Sequence, residues 1–103
     1  MKYQLVIQFP HRSDLDFEKL VELEDILGKK FNVSHEIDGH DVGSGQMNIF
    51  ILTNDPMNAF EIVKTIIDGE YSQLKNMKAA YRDLHSEEFI CLWPKGLTEF
   101  EVI

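Results

Sequence analysis

The sequence predicts an α+β fold in which one antiparallel sheet carries two helices on a single face, and three observations lead there. Tyr3, Leu5, Ile7 and Phe9 alternate with Gln4, Val6 and Gln8, the two-residue repeat of a strand with one buried face. Two segments with helical apolar spacing, near residues 14–27 and 56–68, are separated by a strand-turn-strand pattern. The chain has 103 residues, 44% hydrophobic and 27% charged, which suits one folded domain and excludes both disorder and a second core.

The first strand covers about residues 2–9, and Pro10 ends it. Ser13 followed three residues later by Asp16 has the spacing of a capping box, so a helix starts at about Asp14. It runs to Leu27 with Phe17, Leu20, Val21, Leu23 and Leu27 as its apolar stripe, and Gly28 is its expected stop. Residues 33–53 form a hairpin, in which Val33, His35 and Ile37 alternate with polar neighbours and Gly43-Ser44-Gly45 turns the chain into Met47–Leu52. Asp55 caps a second helix over about 56–68, with Pro56 at its first position, where the missing N–H costs nothing. Ala59, Phe60, Val63, Ile66 and Ile67 give that helix its buried stripe, and Asp68-Gly69 closes it. Lys78–Leu84 and Phe89–Trp93 are two more strands about a His85-Ser86-Glu87 turn. Residues 97–103 are expected as an extended, peripheral tail.

This order suits a ferredoxin-like βαββαβ layout with an additional C-terminal strand, as one domain over 1–103. Its expected core is Tyr3, Leu5, Ile7, Phe17, Leu20, Val21, Leu27, Ile49, Ile51, Phe60, Val63 and Ile67. The layout places the Pro10–Ser13 loop, the 38–46 hairpin and the end of the last strand at one edge of the sheet.

Charge and cysteine content narrow the function. Ten basic residues against 18 acidic ones give −8, a field that repels nucleic-acid phosphates and anionic lipid. The acids concentrate in residues 14–28, where Asp14, Asp16, Glu18, Glu22, Glu24 and Asp25 face Lys19 alone, a local net of −5 that steers basic proteins. No apolar run approaches the roughly 18–20 residues of a membrane span, and residues 1–4 lack a signal-peptide core, so a soluble cytoplasmic protein is expected. Cys91 is alone, which excludes disulfide scaffolds and zinc fingers; in its apolar run it is expected to be buried.

The shared edge brings His11 and Arg12, at the start of the first helix, towards His40, Asp41 and the glycine-flanked Ser44. Arg12 and the free amides of the helix start are the parts of an anion site, but Asp14 and Asp16 already supply the negative charge that a helix start favours, and a plain capped loop is expected. The run from His35 to Asp41 is the densest set of potential metal ligands. On an unbroken strand, however, His35 projects from the opposite face to Glu36, Asp38 and His40, and no metal site is expected. Ser44 lacks the flanking pattern of an activated nucleophile, and Gly43-Ser44-Gly45 lacks the lysine of a phosphate loop. On the sheet face away from the helices, Val6, Phe50, Leu52 and Trp93 among glutamines and asparagine form an expected interface, with a two-fold homodimer as its first occupant.

Residues Asp38–Gly45, leading into Asn48–Thr53 and Asp55-Pro56, resemble a group of small bacterial proteins of unassigned function. The resemblance implies a ferredoxin-like fold and a bacterial cytoplasmic setting, and it carries over no catalytic residue. Among other domains of this layout, acylphosphatases need a glycine-rich first loop and a later asparagine beside the arginine, whereas Pro10–Ser13 supplies only Arg12. RNA-recognition domains need aromatic and basic residues on strands one and three, where this chain offers Phe50 and no base. Two function classes follow. The first is a non-catalytic interaction protein, an acidic inhibitor or immunity-type binder of a basic protein. The second is a small-ligand-binding or small enzyme domain that uses the His11, Arg12, His40, Asp41 edge. The first is preferred because every catalytic set lacks a member, and no cofactor is expected.

Overall fold

The computed structural model describes all 103 residues. Strand β1 (Tyr3–Pro10) sits in the middle of an open five-stranded sheet and sends Leu5, Ile7 and Phe9 into the core. Helix α1 (Asp14–Lys30) follows, and its start is the expected capping box. The Ser13 side chain accepts from the Asp16 N–H, and the Asp16 carboxylate accepts from the N–H groups of Arg12 at 2.9 Å and Ser13 at 3.1 Å.

Two expectations for this helix are corrected. It does not stop at Gly28 but continues to Lys30, where Lys29 and Lys30 suit the negative end of the helix dipole; the extended residue Phe31 ends it, donating its N–H to the Leu27 carbonyl. Val21 is not a core residue: it is 41% exposed, because Leu20, Leu23 and Leu27 hold the buried stripe and Val21 lies a further 100° or so round the helix.

Strands β2 (His35–Gly43) and β3 (Gln46–Thr53) form the hairpin, joined through Ser44 and Gly45. Both turn residues have positive φ, 53° and 77°, the backbone twist that two-residue hairpins need. Val33 lies outside the strand and is 93% exposed. A bulge between Ile37 and Gly39, with Gly39 at φ 116°, inserts Asp38 as an extra residue. It reverses the alternation beyond it, so His40 faces the same side as His35 rather than the opposite one.

Helix α2 (Pro56–Glu70) starts as expected, with the Asp55 carboxylate accepting from the Asn58 N–H at 3.1 Å, but runs past Gly69 to end at Tyr71. A short 3-10 turn (Ser72–Leu74) leads to β4 (Lys78–Asp83), and β5 (Ile90–Trp93) completes the sheet. Leu84 and Phe89 fall just outside these strands. The sheet order is β2-β3-β1-β4-β5, every neighbouring pair is antiparallel, and the chain is α+β with both helices on one face. One apolar cluster joins Leu5, Ile7, Met47, Ile49 and Ile51 to Leu20, Leu23 and Leu27 of α1 and Phe60, Val63 and Ile67 of α2. Tyr71, Leu74 and Met77 close it at one end, and Phe17 packs against it half-buried.

Candidate functional site

The edge expected from the sequence is only partly assembled. The His11 N–H donates to the Gly45 carbonyl at 2.9 Å, so the Pro10–Ser13 loop and the hairpin turn holding Ser44 do adjoin. Arg12 lies beside a cavity of about 30 Å³, room for one water and no substrate. His40 is directed away from this loop onto α1. Its Nδ1 lies 2.9 and 3.0 Å from the two carboxylate oxygens of Glu24, and its ring meets Phe17 edge-on at 5.6 Å. Asp41 projects from the opposite face of β2, where it accepts from Asn48 Nδ2 at 2.9 Å. His11, His40 and Asp41 therefore belong to three separate environments, and no three His, Cys, Asp or Glu side chains converge.

The sheet face away from the helices is occupied by the chain itself. Gln8, 7% exposed, shares the two N–H groups of Nε2 among three acceptors, Gln46 Oε1 and Asn48 Oδ1, each at 3.1 Å, and the Glu101 carbonyl at 2.9 Å. The Ile103 N–H donates to Gln46 Oε1 at 3.3 Å, and Phe89 stacks edge-on against Phe100 at 5.0 Å. Residues 97–103 have no regular secondary structure, yet these contacts tie them to the sheet. Val6 on that face is fully buried and offers no surface to a second subunit, while Phe50 and Leu52 are half-buried. Trp93 does not join them. The bulge between Ala79 and Ala80 puts it on the helix side, 5.9 Å from Phe60 and beneath the Lys64 ammonium. Cys91 is half-buried rather than buried.

Two further buried polar groups lie away from the expected edge. His35 is 3% exposed, with Nδ1 2.7 Å from Thr53 Oγ1 and Nε2 2.8 Å from Asn58 Oδ1. Asn58 Oδ1 can only accept, so Nε2–H donates to it and Nδ1 accepts from the Thr53 hydroxyl, whose oxygen also accepts from the Asp55 N–H at 2.8 Å. That completed network ties β2 and β3 to α2 and marks His35 as structural. The other group is Tyr71: burial, with the charges of Glu22 and Glu70, holds its phenol above the ordinary value of 10.0. The alternation with Val33 and Ile37 already set His35 on the apolar face, but its partners Thr53 and Asn58 lie 18 and 23 residues away and leave no local signature.

The feature best shaped to meet another molecule is an open cleft of about 650 Å³ between α1 and β2. Val21, Glu24, Asp25, Gly28 and Lys29 form its helix wall, and Ile37, Asp38 and Gly39 its strand wall. Lys29 is paired with Asp25 at 3.1 Å and Glu24 is hydrogen-bonded to His40, which leaves Asp38 as the cleft's acid without a side-chain partner. The walls themselves hold Glu24, Asp25 and Asp38 against Lys29, and residues 14–43, the stretch that contains them, carry nine acids against three lysines, a net of −6 out of the chain's −8. Apolar groups accompany the charge: besides Val21, Leu15 is 58% exposed and Val42 39%. No family model, curated protein or solved structure matches the chain. No helix is long and apolar enough to cross a membrane.

Proposed function

We propose that this chain is a non-catalytic interaction domain that binds a basic protein through its α1–β2 side, in the manner of an acidic inhibitor or immunity-type protein. The observation that carries the reading is the gathering of three quarters of the net charge into residues 14–43, on the two elements that line the largest cleft. Charge concentrated this way accelerates encounter with a positive surface and fixes orientation, while the exposed valines supply apolar contact. The sheet order supports a ferredoxin-like layout with β5 as the additional strand, and in this reading the setting is the bacterial cytoplasm.

The test is affinity capture from a bacterial extract by the wild-type chain and by a Glu18→Lys, Glu22→Lys, Asp38→Lys variant with an unchanged circular dichroism spectrum. The reading expects a basic protein that the wild type retains, the variant loses, and salt of about 0.5 M releases. A neutral or acidic partner, or a basic one indifferent to the three reversals, contradicts it.

A further inference from the structure

We propose that the cleft between α1 and β2 takes an extended, basic segment of the partner, which adds to the sheet as a further strand along β2. The inference rests on the acidic α1–β2 side being the binding surface, and it specifies what is bound there and how.

The sheet has two edges, and they are not equivalent. β5 is four residues long and runs into Pro94, whereas β2, the outermost strand on its side, spans nine residues, divided by the bulge at Asp38 into His35–Ile37 and the longer regular stretch Gly39–Gly43. An outer strand has one row of main-chain N–H and C=O groups with no partner in the sheet, a ready template for another extended chain.

The walls of the cleft are cleared for a close backbone. Gly28 lies inside α1, where glycine is less favourable than alanine because it loses more backbone freedom. Nothing in the fold recovers that cost, since its φ is not left-handed and a Cβ built there meets no atom within 4 Å. Gly39, on the facing wall, likewise has empty space where a side chain would stand. Two absent side chains across an open cleft, one of them unexplained by packing, leave room for an incoming main chain.

Charge chooses the occupant. Glu36, Asp38 and Asp41 all lie on β2, which has no Lys or Arg, so pairing with β2 of a second copy would set carboxylates against carboxylates. A segment with lysine or arginine at alternate positions meets the same strand favourably, and apolar residues between them reach Val21 and Ile37.

The probe is a random decapeptide display library panned against the folded wild-type chain. Selected peptides should carry net positive charge, and the strongest, once synthesised, should slow hydrogen exchange of β2 amides. Methylating alternate backbone nitrogens of that peptide keeps its charge but removes its donors, and should weaken binding about ten-fold or more. Gly28→Leu should weaken it similarly; should that variant not fold, the methylated peptide on wild-type protein still decides. Peptides that bind by charge but leave β2 exchange unchanged and tolerate methylation would overturn strand addition while leaving the acidic surface in place. Selection of uncharged peptides, together with failure to capture any basic protein, would overturn both.

Discussion

Replacing Gly28 by alanine separates what the fold needs from what the cleft needs. In α1 the glycine has right-handed helical backbone, no atom waits within 4 Å of an added Cβ, and helix hydrogen bonding runs on to Phe31. The substitution therefore removes a backbone-entropy cost and introduces no clash, worth about 0.5–1 kcal/mol in stability. Its position in the last turn, three residues before Phe31, favours the lower half of that range. For a domain of this size about 0.5 kcal/mol is a rise in Tm of roughly 2–4 °C, well within calorimetric precision. The same methyl group intrudes on the cleft, so affinity for the cationic segment should fall while Tm rises. A lower Tm for Gly28→Ala would refute the reasoning, because it would show that the fold itself requires glycine there.

Three further outcomes follow from the packing. His35→Ala leaves the buried Thr53 hydroxyl without its acceptor and opens a cavity, and should cost about 2–4 kcal/mol in urea unfolding; a loss under 1 kcal/mol would contradict the network. Ending the chain after Gly96 removes the Glu101 and Ile103 contacts to Gln8 and Gln46, and should lower stability by about 1–3 kcal/mol and raise binding of a hydrophobic dye at the uncovered face. Tyr71 titrates above 10.0 in the fold, so the unfolded chain loses the phenol proton first. Stability present below pH 10.0 is then lost as pH rises from there through the folded-state value, and Tyr71→Phe should flatten that decline relative to wild type.

The parts of the fold legible in sequence are those set by local chemistry. Ser13 and Asp16 announce α1, Asp55 and Pro56 announce α2, and the alternation of Leu5, Ile7 and Phe9 identifies the buried face of β1. What escaped depends on partners distant in sequence. Gly28 has the appearance of a helix stop, but α1 extends because Phe31 packs against the core beyond it. The bulge at Asp38 turns His40 towards Glu24, and a second bulge before Ala80 takes Trp93 to the helix side; each reverses the alternation beyond it and undoes a face assignment made by strict alternation. The acidic character of the candidate surface was visible from Asp14 to Asp25. Its union with β2 into one cleft was not, since that depends on how the helix lies across the sheet.

The most direct test of the account is a ¹H–¹⁵N NMR titration of the labelled chain with the basic protein recovered by affinity capture. Binding through the acidic side predicts shift changes that begin on α1 and β2, centred on Val21, Asp25, Gly28, Asp38 and Gly39, and that fade as salt is raised to about 0.5 M. Changes centred instead on Phe50, Leu52 and the 97–103 segment, or on the His11–Arg12 loop, and persisting at that salt concentration would contradict it.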